Sequence, residues 1–136
     1  MQFDTKLVVV LRDDLEVWQK ANVAAFLVSG IAASDPATVG EAYVDGSGVR
    51  YLPMFRQPVL VYAADAPGLR RAYERARARE VELAIYTREL FATGHDEANR
   101  DAVAAVPSAE LDLVGIAFRA ERKTADKVLD RLRPHP

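Results

Sequence analysis

The sequence predicts an α/β domain in which a mixed, mostly parallel sheet of four or five strands is covered by helices on both faces. Short apolar runs rich in β-branched residues alternate along the chain with segments of helical periodicity. Such alternation is typical of strand–helix–strand crossovers, which place helices in two layers around one sheet. The chain has 136 residues, 50% of them hydrophobic, which suffices for one domain with its own core. We therefore expect residues 1–136 to form a single three-layer α/β/α domain.

Four apolar runs are predicted to be strands of the sheet. The first, Lys-Leu-Val-Val-Val-Leu-Arg, shows no polar–apolar alternation, which is typical of a central strand covered on both faces. Gly115, in the last run, predicts a close approach of a neighbouring backbone. A peripheral hairpin, or a strand with a loose loop, is predicted around the turn sequence Asp-Gly-Ser-Gly at residues 45–48. The four predicted strands are residues 6–12, 58–64, 82–87 and 111–118.

Four helices are predicted from apolar periodicity and from capping residues. The first, residues 16–33, is apolar nearly all round, so we expect it to be buried on most sides. The second, residues 67–80, carries five arginines in the directions away from its apolar face. The last two are predicted at residues 96–103, with Asp96 as N-cap, and from Thr124, also an N-cap, to Pro134.

Composition excludes several kinds of chemistry. The chain has no cysteine, which rules out disulfides, zinc–thiolate sites, iron–sulfur clusters and thiol nucleophiles. Two histidines leave little for a metal site, so we expect no metal and no cofactor. Eighteen basic against 20 acidic residues give a net charge of −2, which does not favour a nucleic-acid backbone.

Sequence motifs and apolar stretches exclude further classes. The chain holds no phosphate-binding Gly-Lys-Ser/Thr loop, no Gly-x-Gly-x-x-Gly and no Gly-x-Ser-x-Gly elbow, which argues against nucleotide-binding folds and α/β-hydrolases. Its apolar stretches are shorter than the roughly 20 residues that span a bilayer, so we expect no membrane partner. The opening Met-Gln-Phe-Asp-Thr-Lys carries an acid and leads straight into a strand, which is not typical of a leader peptide. We therefore expect a cytoplasmic protein.

The candidate site lies where the strands of an α/β sheet end, because ligands bind there in such folds. Asp14 follows the first strand, and it could either face a ligand or cap the first helix. Lys20 lies near the start of that otherwise apolar helix, where its ammonium could bind an anionic group or extend to solvent. Asn22 and Ser29 lie further along the helix. The Asn22 amide needs partners, from a ligand or a neighbouring loop, and Ser29 could bond a carbonyl of its own helix.

The loop after the third strand holds the densest set of titratable and hydroxyl groups. Thr87, Glu89, Thr93 and His95 could supply both ends of a proton relay, or the loop could be an exposed cap region. The arginines of the second helix could form a solvated face or contact a phosphate-bearing partner. His135, between two prolines near residue 136, is predicted to be inert.

The order of these parts resembles type II peptidyl-tRNA hydrolases over almost the whole chain. The first strand, Asp14-Leu15, Lys20 and the Val-Ala-Ala of the first helix resemble the opening of those enzymes. A strand containing Val-Gly-Ile and a closing helix agree with the remaining order. The likeness is strongest to a branch of that superfamily classed as a domain of unknown function. The resemblance implies the fold of those hydrolases and a homodimer.

The resemblance carries only half of the hydrolase pattern. Lys20 falls on one lysine of the Gly-Lys-Gly-Lys-like segment of those enzymes, while Asn22 replaces the other lysine. Phe26 and Ser29 replace the Gln and the His of the first helix. In the loop after the third strand, Glu89 and Thr93 keep the spacing between acid and hydroxyl. The site that the resemblance implies is therefore degenerate.

We expect a small-ligand binding or regulatory module with such a degenerate site. The predicted catalytic residues are Lys20, which would bind an anionic group, Glu89, which with Asp14 as its alternative would orient water or Lys20, and Thr93, which would supply a hydrogen bond. The alternative is a hydrolase of an ester or amide such as peptidyl-tRNA, using Lys20 and Glu89, with tRNA as partner. In both cases the start of the first helix and the loop after the third strand should meet. The remaining predicted ligand-binding residues are Asp14, Asn22, Ser29, Thr87 and His95.

Overall fold

A five-stranded mixed sheet with four α-helices around it organises the chain, as seen in a computed structural model that describes residues 3–136. A separate two-stranded sheet lies outside the main one. The strands are β1 Thr5–Arg12, β2 Tyr43–Val44, β3 Arg50–Tyr51, β4 Val59–Ala64, β5 Ala84–Thr87, β6 Leu113–Glu121 and β7 Arg133–Pro134. The helices are α1 Val17–Ser34, α2 Ala66–Ala78, α3 Asp96–Ala104 and α4 Arg122–Val128.

The strand order of the main sheet is β5-β6-β1-β4-β7, and β1 is its central strand, as predicted. Only the β1–β4 pair is parallel, while β1–β6, β5–β6 and β4–β7 are antiparallel. The expectation of a mostly parallel sheet is therefore wrong for the strand pairs, although a mixed sheet of five strands is confirmed. An apolar run without alternation indicates burial on both faces and carries no information about the direction in which its neighbours run.

The sheet separates two apolar layers, which gives the three-layer arrangement. Alternate residues of β1 point to opposite faces. On one face, Leu7 and Val9 pack in a cluster with Val23 and Leu27 of α1. On the other face, Val8 belongs to a cluster that contains the buried residues of α2 and α4.

Gly115 of β6 allows α1 to approach the sheet closely. A Cβ atom at this position would lie 2.6 Å from Cγ1 of Val23 and 3.0 Å from Cδ1 of Leu27. Both distances are well inside normal packing contacts, so only glycine fits under the helix without displacing it. A close approach does occur at Gly115, but the neighbours are helix side chains and not the backbone that the sequence predicts.

Helix α1 is less buried than its composition predicts. Its fully buried residues are Val23, Leu27 and Ile31, which form a single stripe along the helix. Trp18 and Phe26 are more than half exposed. The helix forms the outer layer on its side of the sheet, so only one stripe can touch the strands, and the other apolar residues face outward.

The segment after α4 differs from the predicted long helix. Glu121 occupies the N-cap position of α4, which ends at Val128, so Thr124 lies inside the helix and is not its N-cap. The chain then returns as β7, where Pro134 pairs with Tyr62 of β4. Proline lacks an N–H group and is tolerated on an edge strand. The residues before Pro134 can therefore leave the helix and continue into β7.

Two smaller elements complete the comparison with the sequence. The predicted hairpin is confirmed as the antiparallel pair β2–β3, with Tyr43 opposite Tyr51. Helix α3 begins at Asp96, one residue earlier than a cap at Asp96 would give, because His95 and not Asp96 occupies the N-cap position. Among residues 3–136 no helix combines the length and apolarity needed to cross a bilayer.

Candidate functional site

Lys20, the fourth residue of α1, contacts a histidine from the far end of the chain. Its Nζ lies 3.1 Å from Nε2 of His135. The backbone N–H of His135 donates to the carbonyl of Val61 at 2.9 Å, so the pairing of β7 with β4 continues to the backbone that carries the ring. His135 therefore lies directly beside the sheet edge and contacts Lys20, whereas the sequence predicts an inert position for it.

The chemistry of this contact defines which atoms carry protons. An ammonium group has only hydrogens to donate, so Nε2 of a neutral His135 must accept. The ring proton then lies on Nδ1, which is 3.0 Å from the carbonyl oxygen of Pro136. Lys20 is half-buried, and within residues 3–136 it forms no ion pair with a carboxylate. Two of its three N–H donors are left for another group.

Asn22 lies on the opposite flank of the helix. Two positions on an α-helix correspond to a rotation of about 200°, so Asn22 and Lys20 cannot face the same side. The Nδ2 group of Asn22 donates to the hydroxyl of Tyr86 at 3.3 Å. Burial raises the pKa of the Tyr86 phenol, and the hydrogen bond from Asn22 lowers it in part. The amide thus has a partner on the neighbouring strand.

Tyr86 is the centre of an aromatic cluster between α1 and the loop after β5. Its ring lies 5.7 Å from Phe26 and 5.1 Å from Phe91, measured between centroids. Trp18 packs against Phe91 edge-on at 6.1 Å. Such offset contacts are favourable between aromatic rings. The cluster fixes the loop after β5 to the flank of α1 that carries Asn22.

Several predicted residues of that loop bond within the loop itself. Thr93 donates its hydroxyl to the carbonyl of Leu90 at 2.9 Å, and it also contacts Asn99. His95 caps α3, because its Nδ1 accepts the N–H of Ala98 at 3.2 Å. These bonds stabilise the loop and the start of the helix.

The other two loop residues differ in exposure. Thr87 is buried, and its hydroxyl has no hydrogen-bond partner among the residues that the structure describes. Glu89 is exposed, and it forms no ion pair within residues 3–136. The buried Thr87 hydroxyl has no access to solvent, whereas Glu89 is accessible to it.

Asp14 belongs to an ion-pair network that joins the ends of three strands. Its Oδ2 accepts from Arg12 at 2.9 Å and lies 3.8 Å from Arg88. Both arginines also reach Asp112, at 3.6 and 3.3 Å. The hydrogen bond from Arg12 lowers the pKa of the Asp14 carboxyl. The network balances its own charges, which is typical of a structural role.

The contacts do not join the predicted residues into one site. Lys20 bonds His135, Asn22 bonds Tyr86, and no hydrogen bond within residues 3–136 links Lys20 to Glu89 or Thr93. Ser29 donates to the carbonyl of Phe26 in its own helix, three residues back. A cavity of about 560 Å³ lies near the other end of α1, and none of the predicted residues lines it. Their roles in ligand binding stay predictions.

Two residues that the sequence analysis did not select, His135 and Tyr86, make the contacts that matter at α1. For Tyr86 a signal existed, because Trp18, Asn22 and Phe26 follow each other at intervals of four and mark one flank of the helix. For His135 the signal was weaker. Pro134 is compatible with an edge strand, but its strand partner could not be identified from the sequence.

Comparison with known proteins gives a family without an assigned activity. The profile of a family described as "Protein of unknown function (DUF2000)" matches residues 5–136. A solved structure of a protein of unknown function from Agrobacterium tumefaciens is 45% identical and has a TM-score of 0.96. That match covers 99% of this chain and 100% of the other. No curated protein matches the chain.

Proposed function

Because the chain belongs to the DUF2000 family of proteins of unknown function, we propose a function from its own contacts: a module that binds a small anionic ligand at Lys20 and His135. The observation that carries the proposal is the half-buried ammonium of Lys20, whose hydrogen-bond partner among residues 3–136 is an imidazole ring and not a carboxylate. Partial removal from water strengthens the attraction between this charge and an anion. Two free N–H donors on Lys20 would bind the anion directly.

The alternative function, hydrolysis of an ester or amide such as peptidyl-tRNA, receives less support. General acid–base catalysis needs the reacting groups within hydrogen-bond reach of each other or of a shared water. The exposed Glu89 and the loop-bonded Thr93 are held by elements on the Asn22 flank of α1, while Lys20 contacts His135 on the other flank. We therefore favour binding over catalysis.

The wider resemblance is part of the same proposal. A fold like that of type II peptidyl-tRNA hydrolases is supported by the element order, in which a central strand leads into a long helix and an antiparallel strand precedes a closing helix. A homodimer and a cytoplasmic location also belong to the proposal. Both were expected from the sequence.

Thermal unfolding with inorganic phosphate tests the binding site. A ligand that binds only the folded state raises Tm as its concentration increases. At constant ionic strength, we expect phosphate to raise Tm of the wild-type protein but not of Lys20→Met, which keeps the length of the side chain without its charge. Lys123→Met, which removes an exposed lysine of α4, is the matched control and should respond like wild type.

Two outcomes would overturn the proposal. An equal response of Lys20→Met and wild type would mean that phosphate binds elsewhere, and no response in any variant would mean that Lys20 does not bind small anions.

A deacylation assay on peptidyl-tRNA tests the alternative function, hydrolysis. Turnover by the wild-type protein that is lost in both Lys20→Met and Glu89→Gln would establish the hydrolase instead.

A further inference from the structure

Residues 38–56 form an arm that leaves the domain between α1 and β4. Its base is a short antiparallel stem, in which Arg56 donates to the carbonyl of Thr38 and Gly40 to that of Met54, each at 2.9 Å. Phe55 of the stem packs against the core on the α1 side. Beyond the stem, β2 and β3 form the two-stranded sheet. The arm is therefore anchored to the domain at its base.

Every residue from 43 to 54 is exposed, although many of them are apolar. Six large apolar side chains in this stretch are between 50% and 83% exposed. They expose on the order of 600 Å² together, which equals or exceeds the largest apolar patch of a typical monomer, about 300–600 Å². The six are Tyr43, Val44, Val49, Tyr51, Leu52 and Met54.

The tip of the arm has a defined turn conformation in which these side chains are exposed to solvent. Asp45 accepts hydrogen bonds from the N–H groups of Ser47 and Val49 at 2.9 and 3.0 Å, and from the hydroxyl of Tyr51 at 2.7 Å. Gly48 adopts a φ of 86°, which a glycine accepts without strain. The turn is thus built for a fixed shape.

An isolated two-stranded sheet is marginally stable in water and needs a packing surface for its apolar side chains. The domain supplies little to β2–β3, because every residue from 43 to 54 remains exposed. An ordered, apolar and uncovered hairpin therefore indicates a surface that another molecule covers.

We propose that residues 43–54 are the surface through which two copies of this chain associate, arm against arm. Two such patches bury on the order of 1,200 Å² in total, which reaches the range of specific protein interfaces. The arm carries two acidic and two basic residues, so two copies do not repel each other. The same balance does not favour an anionic membrane, which attracts surfaces with an excess of lysine and arginine.

The inference names the surface of the proposed homodimer and rests on that part of the proposed function alone. It does not depend on the anion site, since Lys20 lies on α1 and outside the arm. An absent phosphate response would therefore not contradict the assignment of the dimer surface. A dimer that persists when the arm is changed would overturn the assignment of the interface to residues 43–54, but it would agree with the proposed homodimer.

The mass of the protein in solution tests the surface. By sedimentation over a range of concentrations, we expect the wild type at twice its chain mass of 15.0 kDa. Leu52→Glu places a charge at the most exposed apolar position of the arm and should shift the protein to the chain mass. Val17→Glu is the matched control, because Val17 is 84% and Leu52 83% exposed but Val17 lies on α1, so this variant should stay dimeric.

A second arm variant, Met54→Glu, shows whether the effect is specific to position 52. Cooperative unfolding of each variant shows that it is folded. A monomeric wild type at all concentrations would overturn the proposal, as would dimers of both arm variants. Dissociation by Val17→Glu alone would place the interface on α1 and overturn it too. Co-sedimentation of a monomeric wild type with phosphatidylserine vesicles would identify a membrane surface instead.

Cross-linking provides an independent readout, because the chain has no cysteine of its own. A single Leu52→Cys variant treated with a short bis-maleimide should give a covalent dimer at low protein concentration. Arg71→Cys, on the exposed side of α2, should remain monomeric under the same treatment. Equal cross-linking of the two variants would contradict contact between the arms.

Discussion

Lys20 and His135 lie 115 positions apart in the sequence, and their side chains meet at 3.1 Å. The contact joins the first turn of α1 to the residue that follows β7. It therefore couples the outer helix layer to the edge of the sheet. A ligand that binds Lys20 would therefore lie next to both α1 and the edge of the sheet.

The two histidines of the chain should adopt opposite neutral tautomers. His135 accepts through Nε2 and carries its proton on Nδ1, whereas His95 accepts through Nδ1 and carries its proton on Nε2. Long-range ¹H–¹⁵N correlation spectra, recorded above the pH range in which free imidazole titrates, distinguish the two forms. The same tautomer in both rings would contradict one of the two contacts, and Lys20→Met should change the spectrum of His135 alone.

Gly115→Ala should lower the free energy of unfolding by about 2 kcal/mol, since overpacking a core costs about 1–3 kcal/mol. The added methyl group would meet Val23, which is fully buried and has no room to move. Urea denaturation measures the effect. Gly46→Ala is the control, because nothing lies within 4 Å of a Cβ atom there. Equal stability of the two variants would show that α1 does not approach the sheet as described.

Arg70→Met should lower the free energy of unfolding by about 1.5–3 kcal/mol, because hydrogen bonds from a charged donor contribute about that much. The guanidinium of Arg70 donates to the carbonyls of Leu111 at 2.7 Å and Ser108 at 3.0 Å. Arg71 on the same helix is exposed, so Arg71→Met should change stability by less than about 0.5 kcal/mol. A larger loss in Arg71→Met than in Arg70→Met would contradict this assignment of the arginines.

The turn of the arm should lose stability in acid. Hydrogen bonds from the Tyr51 hydroxyl and from the Val49 and Ser47 N–H groups lower the pKa of the Asp45 carboxyl below its ordinary value of 3.8. A carboxyl whose pKa is lower in the folded state stabilises the fold above the unfolded value, and this contribution disappears as the pH falls through the folded value. Carboxyl ¹³C shifts should give a midpoint below 3.8 for Asp45, closer to 3.8 in Tyr51→Phe. A midpoint at or above 3.8 in the wild type would contradict the turn geometry.

The fold could be predicted where local sequence determines structure. The unbroken apolar run in β1 predicts a central strand, and the Asp-Gly-Ser-Gly turn predicts the hairpin that the structure contains. Strand direction could not be predicted, because the run in β6 is as apolar as that in β1 but pairs antiparallel to it. Direction depends on how the connection through α3 returns to the sheet, which is a property of the tertiary structure.

The candidate site was predicted only in part, for a similar reason. Lys20 was selected because a cation in an apolar helix needs a partner, but the partner depends on β7 finding β4 about 70 residues away. Residues two positions apart on a helix face different sides, so the separation of Asn22 from Lys20 could be derived from their spacing in the sequence. The exposed apolar residues of α1 and of the arm could not be recognised, since composition does not tell a covered residue from an uncovered one.

The position of β1 between distant partners has a consequence for biosynthesis. Leu7 faces Val59, 52 positions later, on one side and Arg119, 112 positions later, on the other. Folding rates fall as contacts become more distant in sequence. On the ribosome, β1 emerges before β6 and stays without this second neighbour until the chain up to Arg119 has been translated. During that interval its unpaired edge is open to aggregation, and a nascent-chain chaperone would protect it.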